Sequence, residues 1–316
     1  MKNTHYIIVT LATIFVAILF SSHSSTFSKE LNFFKIFNSD YNIYAIPKTK
    51  NKLDFCNEEV PLQNPDIWER YDKELLKNVY WQSNTLLLQK RAKKYFPIIE
   101  QILKENNIPD DFKYLALIES GLENVTSPAG AKGFWQILKS TGREYGLEVN
   151  DGIDERYHLE KSTHAACKFL NSAYQKFGSW TLAAASYNMG KSGIQRQLNR
   201  QKQNDYYDLI LNQETSRYVF RILAIKEILE NPRKYGFNLI KSDYYQAIEC
   251  KEVRVDTTVS NLADFAQLHA INYKVLKLHN PWLRQAYLPN KSRREYFIKI
   301  PKEGTYTFNQ TKKDTI

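Results

Sequence analysis

Glu119 closes the apolar run Tyr114-Leu115-Ala116-Leu117-Ile118 and is followed at once by Ser120-Gly121. Leu115 and Ile118 share one helical face with Tyr114 and Leu117 flanking it. The run therefore reads as the last turns of a buried helix, with Gly121 as its left-handed C-terminal cap. A carboxylate placed there is opposed by the negative end of the helix dipole and stripped of water by apolar neighbours. Both effects favour the protonated acid, the form a general acid needs. The bland alternative is a frayed, solvated helix-end glutamate. The stretch around it, IESGLENVTSPAGAKGFWQI over residues 118–137, argues for chemistry. Ala129, Gly130, Ala131 and Gly133 let backbone come close to a ligand or to other backbone, and Ser127 and Gln136 can point into the space left.

Helices must position these groups. Asn64-Pro65 reads as an N-cap with proline at the first helical position, and Ile67, Tyr71, Leu75 and Val79 continue at helical spacing. A second helix is expected from Ser83 to about Phe96, with Pro97 bending or restarting it toward Leu103. Asn106-Asn107 and Pro109-Asp110-Asp111 form the turn into the Glu119 helix. Further helices are expected near 140–145, 162–177, 181–189, 192–200 and 214–229. After Tyr235 the texture changes: Val253-Arg254-Val255 and Tyr296 to Ile300 look like strands around two helical segments, 259–269 and 273–278. The fold class is mainly α with a small α+β tail of strand-helix-helix-strand order. Residues 26–60 read as an irregular, partly mobile linker, 61–237 as the helical domain and 238–316 as a separate module hinged near 238–242.

The chain has 316 residues and a net charge of +10, with 43 % apolar and 25 % charged residues, so it is ordinary globular material with an expected anionic partner. Lys2, the nearly uncharged run from Tyr6 to Phe20 and Ser21-Ser22-His23-Ser24-Ser25 follow the order of a secretory signal, with residues 1–25 removed or kept as a membrane anchor. Export makes nucleic acid a poor partner and places the chain in the cell envelope. Cys167 looks buried, whereas Cys56 and Cys250 could pair in an oxidising compartment. The histidines show no metal-ligand spacing, so neither metal nor cofactor is expected. Asp154-Glu155-Arg156 reads as a structural ion-pair network and not as a catalytic carboxylate pair.

Five ordered blocks carry a resemblance: PDDFKYLALIESGLENVTSPAGAKGFWQI, TGREYGL, IDERYHLEKSTHAA, AAASYNMG and ETSRYVFRILA. Over about 61–229 the chain resembles the goose-lysozyme-like catalytic domain of the lytic murein transglycosylases, the membrane-bound D type in particular. The resemblance implies a lysozyme-like helical domain acting on peptidoglycan strands. It implies Glu119 as catalytic acid, and Ser120, Ser127, Gly133, Gln136, Tyr187, Asn188 and Tyr218 as residues that build the substrate cleft. Ser186 and Met189 stand where the family pattern has alanines, flanking the polar pair Tyr187-Asn188. Trp135 reads as packing. The tail resembles a lysin motif through Leu262-Ala263, Leu268, Leu276, Asn280-Pro281 and Ile298-Lys299-Ile300-Pro301, although Thr257-Thr258 replaces the usual glycine-aspartate turn. Ordinary glycosidases divide the work between two carboxylates. No second one is firmly placed here, since Glu123 lies beyond Gly121 and could turn away. The implied reaction is cleavage between N-acetylmuramic acid and N-acetylglucosamine with a 1,6-anhydro product, by a monomer. A hydrolytic muramidase, a binding-only wall protein and a structural envelope anchor are the alternatives.

Overall fold

The computed structural model describes residues 45–46 and 52–306, so the expected N-terminal signal or anchor lies outside the described residues. Contacts divide the chain into two units, Met1–Lys48 and Thr49–Ile316, and every described element belongs to the second.

A short hairpin, β1 (Asp54–Phe55) and β2 (Glu58–Glu59), precedes the helices. It corrects the linker expectation for its last residues: Phe55 and Val60 are buried, and Phe55 packs edge-on against Phe112. The spacing of Leu53, Phe55 and Val60 is irregular, and a run this short carries no sustained period, which hid this role.

Helix α1 (Pro65–Tyr80) starts at Pro65, but the side chain of Asn64 makes no capping hydrogen bond. Helix α2 runs unbroken from Gln82 to Glu105 through Pro97. The helix does not restart at Pro97; the residue is exposed, so its ring stays clear of the packed face. Helix α3 (Phe112–Ser120) buries Phe112, Tyr114, Leu115, Ala116 and Leu117, and Gly121 caps it at φ 62°, its N–H bonding to the Leu117 carbonyl. Then come α4 (Lys139–Glu144), α5 (Leu159–Phe177), α6 (Trp180–Met189), α7 (Lys191–Gln201) and α8 (Gln213–Glu230). Buried residues cover most of α8, from Tyr218 through Ile225, so it forms the axis against which α1, α3 and α6 pack. Ala183, Ala184, Ala185 and Ser186 let α6 lie close to its neighbours α5, α7 and α8.

In the tail, β3 (Cys250–Val255) pairs antiparallel with β4 (Tyr296–Pro301), Val255 opposite Tyr296, and α9 (Leu262–Leu268) and α10 (Tyr273–His279) lie between them in sequence. The expected strand-helix-helix-strand order is present. The module is less separate than expected, because Ile153 and Tyr157 of the helical body belong to its hydrophobic core. The pairing of Cys56 with Cys250 does not form, and all three cysteines are free thiols. Cys56 is buried in the hairpin turn with its N–H on Asp111 Oδ2 at 2.7 Å, while the Cys250 sulfur lies 3.4 Å from His279 Nδ1. Cys167 is buried in α5, as its small-residue context suggests.

Candidate active site

Glu119 is the penultimate residue of α3, two positions before its left-handed cap Gly121. Its residue surface still touches solvent, yet enough protein surrounds the carboxyl that desolvation dominates and raises its pKa above the usual carboxylate range. Two groups oppose the rise. Tyr218, 1 % exposed on α8, donates its O–H to Glu119 Oε1 in a short hydrogen bond. Arg221, one turn further along α8, donates Nη2 to the Ile118 carbonyl at 2.8 Å and brings positive charge near the carboxyl. Glu214 adds to the rise through its charge. With Oε1 taken by the tyrosine, Oε2 is the oxygen left to carry a transferable proton.

The loop after α3 folds back over this end. Ser120 Oγ donates to the Phe134 carbonyl at 2.8 Å, so Ser120 ties the loop to α3. Tyr187 on α6 donates its O–H to the Trp135 carbonyl at 2.8 Å; burial and the nearby Glu119 push the phenol far up, keeping it a neutral donor. Trp135 is fully buried with its ring N–H on Thr163, a packing role. Ser127 closes a small turn: its N–H bonds to the Ala131 carbonyl and its Oγ accepts from the Ala131 N–H at 3.0 Å. Gly133 has φ +78°, and a Cβ there would stand 1.9 Å from the Arg156 carbonyl, so the glycine is dictated by backbone packing. Gln136, at φ 46°, donates Nε2 to the Val125 and Gly133 carbonyls, which leaves its side-chain oxygen as the polar group on offer. Asn188 accepts from Thr215 Oγ1 at 2.7 Å and donates to Glu214 at 3.1 Å, joining α6 to α8.

Tyr218 thus bonds Glu119 directly, Ser120 and Tyr187 hold the adjacent Phe134 and Trp135 carbonyls of the loop, and Asn188 is tied to α8 through Thr215 and Glu214. Ser127, Gly133 and Gln136 sit in the loop that Ser120 and Tyr187 hold. Sequence reading missed Arg221, whose position one turn after Tyr218 was the available signal. It also missed Glu58, which no local pattern marks: its carboxylate accepts from Trp180 N, Thr181 N, Thr181 Oγ1 and Ser179 Oγ, and so caps the helix bearing Tyr187 and Asn188.

Other carboxylates near the site are engaged. Glu123 turns to Arg91, 2.7 Å away, and Arg91 also holds the Gly121 carbonyl. Asp154 is bidentate to Arg156, both 3 % exposed, as the ion-pair reading expects. Among the described residues, no group of three His, Cys, Asp or Glu side chains is set to hold a metal. A cavity of about 540 Å³ lies instead at the joint with the tail, lined by Tyr95, Tyr157, His158, His279 and Trp282 among others and not by Glu119.

The described residues form a mainly helical body with the desolvated Glu119 at a helix end, followed by a strand-helix-helix-strand tail. Residues 96–210 match the Transglycosylase SLT domain model, and residues 251–304 match the soluble lytic transglycosylase C-terminal LysM-like domain. The chain is thus similar to SLT-type transglycosylase domains over 96–210 and to a LysM-like domain over 251–304. It is 31 % identical over 258 residues to the membrane-bound lytic murein transglycosylase D of Escherichia coli K12, covering 79 % of this chain and 55 % of that protein. The chain thus spans about half the length of that relative. A putative tributyltin chloride resistance protein of Alteromonas sp. is 26 % identical over 144 residues, 45 % of this chain and 69 % of that one. The crystal structure of the 70 kDa soluble lytic transglycosylase of E. coli matches at a TM-score of 0.38 with 21 % identity, over 48 % of this chain and 27 % of that one.

Proposed function

We propose that this chain is a peptidoglycan lytic transglycosylase of the cell envelope, cleaving the bond between N-acetylmuramic acid and N-acetylglucosamine with Glu119 as its single acid and base. Residues 61–237 form the catalytic domain and 238–316 the lysin-motif-like module, and the N-terminal segment supplies the association with a membrane. Among the described residues no helix is long and apolar enough to cross one. The observation that carries the reading is the Glu119 carboxyl, desolvated and held by Tyr218, with Glu123 turned away to Arg91.

Protonated Glu119 gives its proton to the glycosidic oxygen as the bond to C1 breaks. The sugar's acetamido group stabilises the positive charge left at C1. Glu119, now a carboxylate, takes the proton of the muramyl C6 hydroxyl, and that oxygen closes on C1. One C–O bond is lost and one gained, no water is consumed, and Glu119 ends protonated. Desolvation serves the first half by holding the proton, while Tyr218 and Arg221 serve the second by stabilising the anion. Ser127, Gln136, Tyr187 and Asn188 are the proposed sugar-positioning groups.

The test is mass spectrometry of products from purified murein and the full-length chain. Anhydromuramyl ends support the reading, and reducing muramic acid ends would assign the chain to hydrolytic muramidases. No release of glycan by folded protein would leave a binding or anchoring role.

A further inference from the structure

Residues 148–157 lie between two partners. On one side they hold the loop beside Glu119: Arg156 is bidentate to Asp154 and spends Nη1 on the carbonyls of Gly130 (3.0 Å) and Ile137 (3.2 Å), near the two ends of the turn-rich part of that loop. Gly133 packs on the Arg156 carbonyl, and the Tyr157 hydroxyl is 2.9 Å from Thr126 Oγ1. On the other side they are built into the C-terminal module. The Asp154 N–H bonds to the Trp282 carbonyl at 2.9 Å, Arg284 N–H to the Gly152 carbonyl at 2.8 Å, and Ile153 bridges to Leu283. The Arg284 guanidinium stands 4.2 Å over the Tyr157 ring, and Glu148 takes both Arg294 and the Tyr296 hydroxyl.

The ring of Tyr157 is thus core to the module while its hydroxyl is bonded to the loop, and Asp154 accepts from Arg156 through its side chain while its backbone N–H is fixed by the module. We propose that the C-terminal module is a brace: through 148–157, with Arg156 as the positioning residue, it holds the 125–137 loop in register with Glu119 and so acts on bond cleavage, beyond any retention on the wall. The catalytic consequence rests on the function proposed above, whereas the mechanical coupling does not. Removing a hydrogen bond to a charged group is worth tenfold or more in an equilibrium.

The test uses full-length Arg156→Lys, Tyr157→Phe and Arg284→Ala. Arg284 is exposed, so its removal leaves the fold intact even where Arg156→Lys does not. Hydrogen exchange is read at the amides of 125–137, and kcat, KM and the pH profile on short soluble murein glycans. The brace predicts exchange in 125–137 about tenfold faster in Arg156→Lys and about threefold faster in Arg284→Ala or Tyr157→Phe, with α8 amides unchanged. It predicts kcat/KM on soluble glycan reduced by a similar factor, with the pH midpoint of the Glu119 limb unmoved. Unchanged loop exchange in Arg284→Ala and Tyr157→Phe overturns the coupling. Faster exchange with full activity on soluble glycan overturns the catalytic role, and loss of murein sedimentation alone makes the module an independent binding tail. If the wild-type chain cuts no glycan, the exchange result still decides the coupling.

Discussion

Replacing Tyr218 by Phe removes one hydroxyl and keeps the ring that fills the core of α8 beside Glu119. That hydroxyl is the donor to Glu119 Oε1, and its hydrogen bond favours the carboxylate over the acid. Hydrogen bonds to charged groups are worth about 1.5–3 kcal/mol, and about 1.4 kcal/mol corresponds to one pH unit. Loss of the bond leaves desolvation less opposed, so the Glu119 pKa rises further. The protonated enzyme then persists to higher pH, and the alkaline limb of kcat/KM on a soluble glycan moves upward. The maximal kcat falls, because the second half of the reaction needs the anion that Tyr218 stabilises. Profiles for wild type and Tyr218→Phe, measured on one substrate at fixed ionic strength, give the shift directly. A limb that stays in place or moves to lower pH would refute the assignment of Glu119 as the titrating acid.

Glu119→Gln is expected to lower kcat by about 10²–10⁴, the usual contribution of general acid and base catalysis. Its effect on stability has a definite sign. A carboxyl whose pKa is raised on folding contributes fully below the unfolded value near pH 4 and loses that contribution as pH rises through the folded value. Glu119→Gln should therefore melt no lower than wild type at neutral pH, with its relative advantage shrinking toward pH 4 in a series of thermal melts. Glu58→Ala removes the acceptor of four donors at the start of α6 and is expected to cost about 2–4 kcal/mol in urea unfolding. Gly133→Ala forces a side chain into left-handed backbone against the Arg156 carbonyl. A cost of about 2–5 kcal/mol is expected, with activity lost alongside stability.

The part of the site legible in sequence is the part written locally. An apolar run ending in Glu-Ser-Gly specifies a buried helix end and its cap within a few residues, and the cap forms at Gly121. The strand-helix-helix-strand order of the tail was readable for the same reason. What escaped is held across long separations. Glu58 caps a helix more than 120 residues away, and Arg221 reaches back from α8 to the Ile118 carbonyl. Pro97 misled because a proline's effect depends on which way its face points, and here that face is exposed. The cysteines misled because their spacing carries no geometry, and burial of Cys56 at Asp111 keeps it from Cys250.

The central claim is that one acid, Glu119, breaks the glycosidic bond without water. Digestion of purified murein in heavy-oxygen water, followed by mass spectrometry of the new muramyl ends, tests it most directly. The account predicts anhydro ends that carry no heavy oxygen and that disappear with Glu119→Gln. Reducing ends carrying the label, or undiminished cleavage by Glu119→Gln, would contradict it.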